Sequence, residues 1–354
     1  MLEVSVTNNK KNQMITSNIK QVNAVSDQTS NETKVSIIIP VKKISRYLRQ
    51  ETIPAILRQT YPRFEIIVLP DKKTKEKFSK TKIMPSWPKT GPADKRDIGA
   101  KKAKGEILAF LDDDSYPDKN WLKNAIKLFG ESERIVGVCG PTLTPPDDNI
   151  LQKASGYVWS TWMGGGGAGT YRCAIAPRRE VDDFPTVNLL VRKKDFLDSG
   201  GFNSNLWPGE DTKLCYQLVY KLGKKIIYDP DILVYHHRRK VFGPHLKQIA
   251  SYAIHRGYFA RILPETSFRF GYPLPTLFIL VLLISFLLSF THSVFRLVGL
   301  SLIGVYSLAL LITATQVYFQ EKKFKLALLV IPAIFLTHLV YGLLFIKGFF
   351  SKRI

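Results

Sequence analysis

The stretch Ile107-Leu-Ala-Phe-Leu-Asp-Asp-Asp114 joins five apolar residues to three consecutive aspartates. The apolar run predicts a buried strand, and ligands of open α/β sheets bind beyond the carboxyl ends of the strands. Crowded carboxylates repel one another, and a divalent cation such as Mg²⁺ or Mn²⁺, which favours oxygen ligands, relieves that repulsion. Aspartates are equally common in solvated turns and at helix N-caps, so this stretch alone leaves both readings open.

Strands and helices are predicted to alternate around this stretch. Short apolar runs predict strands at Val35–Pro40, Phe64–Leu69, Ile135–Cys139, Val187–Arg192 and just before His236. Helical spacing predicts helices at 47–57 and 121–129, ended by Gly130, and another that begins after Gly209 and is capped by Gly223. This order predicts an α/β fold whose mostly parallel sheet is covered on both faces. Asp71 follows the second strand, so it should share one edge of the sheet with the three aspartates.

Residues 141–185 have no regular apolar pattern. The glycine-rich tract at 164–169 lies inside this segment. We expect a mobile loop near the site there rather than a phosphate-binding loop, because no strand precedes the tract and no helical pattern follows it.

Charge and cysteine content restrict the class of protein. The 354 residues contain 51 Lys and Arg against 29 Asp and Glu, a formal net charge of +22, which indicates a polyanionic partner. The three cysteines are far apart and odd in number, which argues against a disulfide framework and favours a reducing compartment. The N-terminus has no apolar segment typical of a secretory signal, and the polar residues 1–33 predict a disordered tail.

Three apolar runs near the C-terminus lack Asp, Glu, Lys and Arg: Leu274–Phe290, Leu297–Phe319 and Leu326–Ile346. A membrane span needs about 17–25 such residues, so the runs predict three transmembrane helices, the first only just. A buried helical core of a soluble domain is the alternative. Three runs in succession favour a bilayer, so the basic charge fits a membrane surface better than nucleic acid.

The basic residues also predict how the chain is oriented. Between His236 and Phe270 there are seven Lys and Arg and one acid, Glu265, which places this segment and everything before it in the cytoplasm. Three spans would put the C-terminus outside, whereas Lys347, Lys352 and Arg353 favour the inside, so the two rules conflict.

Residues 241–270 predict an amphipathic helix that lies in the lipid headgroup layer. Leu246, Ile249, Ala250, Ala253 and Ile254 recur at helical spacing among basic residues. The alternative is an ordinary helix packed on the preceding domain.

Two further polar pairs follow predicted turns or strands. Glu210 and Asp211 open a helix, where capping alone explains acidic residues. His236 and His237 follow a strand, where surface histidines are the simpler interpretation.

Taken together, the motifs resemble family 2 glycosyltransferases of the GT-A fold over about residues 34–240. The motifs occur in the family order: strand–Pro40, strand–Asp71, Lys95-Arg-Asp-Ile-Gly99, Ala103-Lys-Gly-Glu106, Leu111-Asp-Asp-Asp114, Gly200-Gly-Phe202, Gly209-Glu-Asp211 and Tyr235-His236. The resemblance is to membrane-anchored, exopolysaccharide-type members. It implies a Rossmann-like nucleotide-sugar-binding domain at 34–240, a basic interfacial segment at 241–270 and transmembrane helices at 271–354.

The resemblance also implies roles for individual residues. The implied donor-binding residues are Pro40, Asp71, Arg96, Asp112 and Asp113. The implied ligands of Mg²⁺ or Mn²⁺ are Asp114, Asp112 and His236. The implied catalytic base is Asp211, and the implied acceptor or diphosphate contacts are Glu210, Trp207, Arg238 and Arg239. Pro70 and Asp97 depart from the family pattern, in which another acid and an asparagine are common at these positions, so the nucleobase contacts are the least defined.

These residues predict an inverting, metal-dependent hexosyltransferase at the cytoplasmic membrane. The implied donor is a nucleotide-diphosphate sugar, with a UDP-sugar favoured over a GDP-sugar, and the acceptor is a lipid-linked saccharide or polyprenyl phosphate. Gln248 is followed by Ile-Ala-Ser-Tyr rather than the Gln-x-x-Arg-Trp motif of processive synthases, which favours single-sugar transfer. The alternatives are a sugar nucleotidyltransferase, which would need a glycine-rich loop where Pro40-Val-Lys-Lys-Ile44 stands, and a catalytically degenerate membrane scaffold.

Overall fold

The computed structural model describes residues 33–86, 90–167, 169–203, 206 and 208–354. The tail predicted for residues 1–33 lies, apart from Thr33, outside these ranges.

The core is a mixed sheet of eight strands in the order β3-β2-β1-β4-β9-β6-β10-β8. Its strands are β1 (Val35–Pro40), β2 (Phe64–Leu69), β3 (Thr81–Ile83), β4 (Ile107–Phe110), β6 (Ile135–Cys139), β8 (Arg179–Val181), β9 (Leu189–Arg192) and β10 (Lys225–Tyr228). A second sheet has the order β5-β11-β7 and consists of β5 (Ser115–Pro117), β7 (Thr142–Leu143) and β11 (Val234–His236).

The directions of the strands explain where the site lies. β1 pairs in parallel with β2 on one side and β4 on the other, so the carboxyl ends of these three strands meet at one edge. The expected neighbourhood of Asp71 and the three aspartates is therefore confirmed. The sheet is less parallel than predicted, because β9 runs antiparallel between β4 and β6 and β8 runs antiparallel to β10.

The helices of the first part of the chain are α1 (Ile53–Leu57), α2 (Pro92–Lys102), α3 (Trp121–Phe129), α4 (Ile150–Ser160), α5 (Trp162–Gly165), α6 (Lys193–Asp198) and α7 (Glu210–Tyr216). π-Helical turns at Leu48–Thr52 and Gln217–Lys221 adjoin α1 and α7, and 3-10 turns occupy Thr170–Arg172 and Thr186–Asn188. The helices of the last part are α8 (Gly243–Ile262), α9 (Pro264–Ser267), α10 (Leu274–Leu288), α11 (Ser293–Glu321) and α12 (Phe324–Phe350).

Apolar side chains cover both faces of the large sheet. Successive residues of a strand point to opposite faces, and accordingly Ile37 packs into one apolar cluster with Trp121, whereas Ile38 packs into the other with Phe110 and Phe202. All of these side chains are buried. The sheet is thus held rigidly enough to support side chains at its edge.

Residues 141–185 contain regular structure that the sequence pattern did not predict. The side chain of Asn149 caps α4 by accepting hydrogen bonds from the backbone amides of Leu151 and Gln152 at 3.1 and 3.2 Å. The glycine-rich tract forms α5 and a left-handed turn at Gly166 and Gly167. Gly166 lies against the backbone of Gly271, beside the C-terminal helices, so the tract belongs to their packing rather than to the loop expected near the site.

The C-terminal helices form where they were predicted, but their lengths differ. α11 and α12 contain 29 and 27 residues and are long and apolar enough to cross a membrane. α10 has only 15 residues. At 1.5 Å per residue it extends roughly 22 Å, less than the roughly 30 Å of a bilayer core, so α10 is shorter than the predicted first span.

α8 is a helix, as predicted for residues 241–270, but its apolar side is not free. Ile249 and Ala253 of the expected lipid-facing side are buried inside the protein. Arg256 pairs with Asp183 at 3.0 Å instead of remaining available to lipid phosphates. The structure therefore corrects the interfacial interpretation, because the buried side of α8 packs on other helices.

Candidate active site

Two carboxylates and one imidazole meet beyond the end of β4. One ligand atom from each of Asp112, Asp114 and His236 lies within 4.8 Å of the others. The backbone turn after β4 positions the aspartates, and β11, which pairs with β5, brings His236 to 3.3 Å from Asp114. The two carboxylates fit a Mg²⁺ or Mn²⁺ ion, because such ions in phosphate-binding sites typically use one or two carboxylates.

Arg96 connects this cluster to the start of α7. Its guanidinium, which is almost fully buried, contacts Asp112 at 2.8 Å and Glu210 at 2.9 Å. Glu210 is itself buried and accepts a hydrogen bond from the amide of Gly209 at 3.0 Å. Glu210 therefore anchors Arg96, which corrects the interpretation of Glu210 as an acceptor or diphosphate contact.

Asp211 follows Glu210 and has the electrostatics of a base that operates near neutral pH. Burial raises the pKa of its carboxyl, and the negative charges of Glu210 and Asp183 raise it further, to about 7. The amide of Thr212 donates to its Oδ1 at 2.8 Å and Arg256 is nearby, and both oppose the rise. A carboxylate with a pKa near the operating pH suits general-base catalysis.

Asp71 and Pro40 stand where the donor was predicted to bind. Pro40 is the last residue of β1, opposite Leu69 of β2. Asp71 pairs with the ammonium group of Lys95, which also donates to the carbonyl of Val41 at 2.6 Å. Lys95 is buried, so it fixes the direction of the partly exposed Asp71 carboxylate.

Asp113 and Asp97 are directed into the protein framework. Burial raises the pKa of the Asp113 carboxyl, and the neighbouring Asp114 and Asp112 charges add to the rise, to about 6. A hydrogen bond between the Asp113 carboxyl and the side chain of Ser45 opposes the rise, and the backbone carbonyl of Asp113 accepts from the hydroxyl of Thr52 at 3.0 Å. Asp97 accepts from the amides of Phe202 and Asn203 at 3.0 and 2.9 Å, which explains how an aspartate serves at this position.

The basic residues after β11 have unequal environments. Arg238 donates to the carbonyl of Thr142 and lies 3.3 Å from Nδ1 of His236, so it positions that imidazole. Arg239 is exposed. His237 is held between Asp148 and Glu51 at 2.5 and 2.8 Å, and is therefore a structural residue rather than a surface histidine. Trp207, predicted to contact the acceptor, lies outside the described residues.

A buried charge cluster behind Asp211 was not predicted. Asp183 accepts from Arg172 at 2.8 Å, from Arg256 at 3.0 Å and from the hydroxyl of Thr212 at 2.8 Å. Because Thr212 adjoins Asp211, the cluster connects α8 to the carboxylate proposed as the base. The sequence gives little indication of this charge cluster, because Asp183 lies within residues 141–185, which have no regular apolar pattern.

A groove of about 530 Å³ lies away from this site, along β8 and β10. Its charged side chains are mostly paired, as in Arg269 with Asp182 and Lys225 with Glu180. We therefore assign the chemistry to the carboxylate cluster rather than to this groove.

Family comparisons agree with the geometry of the site. Residues 36–172 match the family described as Glycosyl transferase family 2, and residues 107–344 match Glycosyl transferase family group 2. The chain belongs to the family 2 glycosyltransferases.

Several curated proteins are similar to this glycosyltransferase. The pre-mycofactocin glycosyltransferase of Mycobacterium tuberculosis is 27% identical over 153 residues, which are 42% of this chain but only 30% of that protein. The glucosyl-dolichyl phosphate glucuronosyltransferase of Haloferax volcanii is 22% identical over 57% of this chain and 69% of its own length. A dolichyl N-acetyl-α-D-glucosaminyl phosphate diacetamido-dideoxyglucuronosyltransferase of Methanococcus voltae is 23% identical over 89% of this chain and 96% of its own.

A solved structure shares the fold. The mannosyltransferase PcManGT of Pyrobaculum calidifontis, solved with GDP-Man and Mn²⁺, has a TM-score of 0.52 and 15% identity, over 91% of this chain and 88% of that protein. This likeness shows the GT-A fold.

Proposed function

We propose that this family 2 glycosyltransferase is an inverting, metal-dependent enzyme that transfers one sugar from a nucleotide-diphosphate sugar to a lipid-linked acceptor. The observation that carries the proposal is the bridge from Asp112 through Arg96 to Glu210, the residue that precedes Asp211. It supports a metal site at the aspartates with a base beside it. Residues 34–240 would form the catalytic domain, residues 241–270 its connection to the membrane, and residues 271–354 the membrane-associated helices, with the site on the cytoplasmic face.

The donor would lie over the carboxyl ends of β1, β2 and β4. Asp71, fixed by Lys95, is available to the nucleoside, and Asp112 and Asp114 would hold Mg²⁺ or Mn²⁺ with His236 beside them. When bound, such an ion neutralises charge that develops on the leaving diphosphate. The likeness to a mannosyltransferase solved with GDP-Man and Mn²⁺ supports a divalent ion.

Asp211 would accept the proton of the attacking acceptor oxygen, which is a sugar hydroxyl in a lipid-linked saccharide or the P–OH group of a polyprenyl phosphate, as that oxygen attacks the anomeric carbon. The glycosidic bond forms, the bond to the diphosphate breaks, and the nucleoside diphosphate leaves with the electron pair. One displacement inverts the anomeric centre. Buried and paired side chains such as Glu210 are unsuited to act as the nucleophile of a double displacement.

The acceptor is proposed to be a lipid-linked saccharide or polyprenyl phosphate. The dolichyl phosphate substrates in the names of two relatives support this class. The apolar helices α11 and α12 would keep the site close to a bilayer that carries such lipids. Gln248, without the following Arg-Trp of processive enzymes, supports single-sugar transfer.

The decisive experiment is a donor screen on the full chain in lipid nanodiscs that contain polyprenyl phosphate. Release of UDP, GDP or dTDP from the corresponding sugars should occur with one class of donor and stop in excess EDTA, and Mg²⁺ or Mn²⁺ should restore it. The anomeric configuration of the lipid product should be opposite to that of the donor. Full turnover in EDTA would disprove the metal requirement, and retained configuration would disprove the single displacement.

A further inference from the structure

We infer that α12 lies along the catalytic domain in the plane of the membrane, whereas α10 and α11 form a hairpin that enters the bilayer. The C-terminus and the catalytic domain would then share one side of the membrane. This arrangement is independent of the identity of the donor and acceptor.

Both ends of α12 are tied to parts of the chain that precede the membrane helices. Glu321, the last residue of α11 and three residues before α12 begins, accepts from the hydroxyl of Tyr157 at 3.0 Å and pairs with Lys153 at 3.3 Å, and both partners are on α4. At the other end, Arg261 of α8 donates to the carbonyl of Ser351. A helix of 27 residues extends roughly 40 Å, so these two anchoring points are well separated.

α8 runs beside α12 in the same direction. Near the start of α8, Nε2 of His245 lies 3.0 Å from the hydroxyl of Thr337, which is in the middle of α12. Further on, a Cβ atom at Gly257 would overlap the carbonyl of Phe345, and one at Gly348 would overlap the carbonyl of Ile254. Small residues permit such close backbone contact between helices. The two helices are therefore packed side by side.

α8 in turn rests on the catalytic domain along its length. Near its start, His245 lies 2.8 Å from the hydroxyl of Ser155 on α4. Near its end, Arg256 pairs with Asp183, and a Cβ atom at Gly209 would overlap the ring of Phe259. A helix that crossed the bilayer steeply would leave the domain after its first turns. Because α12 follows α8, it remains at the surface of the domain instead.

α10 and α11 form an antiparallel hairpin that extends away from the domain. The rings of Phe278 and Tyr306 stack at 4.6 Å, and nearer the tip a Cβ atom at Gly299 would lie 3.4 Å from Ser285. Large apolar side chains around the tip are half or more exposed: Leu283, Ile284, Phe286, Leu287, Phe290, Val294, Leu297, Leu300, Ile303 and Val305. Contiguous apolar surface of this extent is suited to lipid rather than water.

The exposed apolar surface of α12 is narrower than that of the α10–α11 hairpin. Its exposed large apolar residues are separated by seven or four positions and therefore lie on one side of the helix. They are Phe324, Leu328, Phe335, Leu339, Leu343 and Phe350. A helix with one such side lies in the boundary between headgroups and acyl chains.

The charges at the two ends of α12 support this arrangement. Lys322, Lys323 and Lys325 stand at its beginning and Lys347, Lys352 and Arg353 at its end. The positive-inside rule places both groups on the cytoplasmic side. An in-plane α12 satisfies the rule at both ends, so the conflict that three spans create does not arise.

The test introduces one reporter cysteine at a time into the full chain carrying Cys173→Ser; Cys139 and Cys215 are kept because they are buried. The reporters are Ile354→Cys at the C-terminus, His292→Cys at the hairpin tip and Lys119→Cys on the catalytic domain, all at exposed positions. Sealed vesicles of known orientation are treated with a membrane-impermeant maleimide, before and after detergent.

We expect Ile354→Cys and Lys119→Cys to react from the same side and to the same extent. His292→Cys should be protected from that side until detergent is added. Labelling of Ile354→Cys only from the side opposite Lys119→Cys would show that α12 crosses the bilayer. Labelling of His292→Cys from the domain side before detergent would show that the tip of the hairpin is open to water there and that the hairpin does not enter the bilayer.

Discussion

Single side chains determine how Asp211 would act as a base. Its carboxyl has a pKa of about 7 because it is partly buried and lies beside Glu210 and Asp183. We predict that Asp211→Asn, which keeps the size of the side chain, lowers the transfer rate roughly 10²- to 10⁴-fold, the usual contribution of a positioned base. Donor binding, measured by titration calorimetry, should be unchanged. The exposed Asp231→Asn serves as a control, and near-normal transfer by Asp211→Asn would assign the base elsewhere.

Asp183 is expected to tune the same carboxylate without touching substrate. Transfer should fall as the pH drops through about 7, because Asp211 is then protonated. Asp183→Asn removes a nearby negative charge and leaves Arg172 and Arg256 without their carboxylate. The pKa of Asp211 should fall, so the acidic limb of the kcat–pH profile should move to lower pH.

Thr212→Val is the matched control for this shift. It removes the hydroxyl that donates to Asp183 but changes no charge, so the acidic limb should stay where it is. Breaking a buried ion pair typically costs about 3–5 kcal/mol, so the rates must be normalised to folded protein. If both variants leave the limb unmoved, Asp183 has only a structural role.

The sequence predicted where several of the candidate site residues lie, for a physical reason. Asp71 and Asp112 come directly after strands, so sequence position fixes their place at the edge of the sheet. Asp183 could not be predicted this way, because its partners Arg172 and Arg256 come from a 3-10 turn and from α8. Glu210 and Asp211 likewise differ in burial: Glu210, which anchors Arg96, is buried, whereas Asp211 is only partly buried. The sequence alone does not predict this difference.

At the scale of elements, strands were easier to predict than the helix α4. Strands β1, β2 and β6 consist mostly of buried apolar residues, so their apolar pattern is easy to recognise. The buried side of α4 includes Ala154, Ser155 and Gly156, so its helical period is nearly invisible in hydrophobicity. The antiparallel direction of β9 could not be predicted either, because the sequence of a short apolar strand does not indicate which way it runs in the sheet.

The contact between α8 and α12 is expected to be intolerant of larger side chains. A Cβ atom at Gly348 would overlap the backbone of Ile254, whereas Gly304 on α11 has open space around it. Gly348→Leu should therefore separate α12 from α8 and destabilise the protein by about 1–3 kcal/mol, as overpacking usually does.

Protease protection of the C-terminal segment and thermal unfolding in detergent measure this effect. Gly304→Leu has the same change in composition and should behave like the unchanged protein. Equal behaviour of the two variants would mean that the close contact at Gly348 contributes nothing to stability.

At the scale of the whole molecule, the last helix, α12, packs against the catalytic domain. Leu326, Val330, Ala333 and Ile334 of α12 form one apolar cluster with residues of α4 and α11. From composition alone, α12 would be predicted to be a separate transmembrane helix, because hydropathy does not show which side of the helix is covered by protein. Its packing shows instead that the membrane helices and the sheet are one structural unit.

A chain that ends at Glu321 lacks α12, so we expect its catalytic domain to be less stable as well as less firmly attached to the membrane. Each large apolar side chain that loses its burial costs about 1.5–3 kcal/mol, and a folded domain has only about 5–15 kcal/mol in total. We expect the thermal midpoint of the truncated chain to fall sharply. Tryptophan fluorescence in detergent can follow the unfolding, because the ring of Trp159 contacts His245, which lies 3.0 Å from Thr337 of α12. A chain that ends at Ser351 keeps α12 and the carbonyl bound by Arg261, so its midpoint should match that of the full chain. An unchanged midpoint for the chain that ends at Glu321 would instead make α12 a detachable membrane segment, and the catalytic domain would be stable without it.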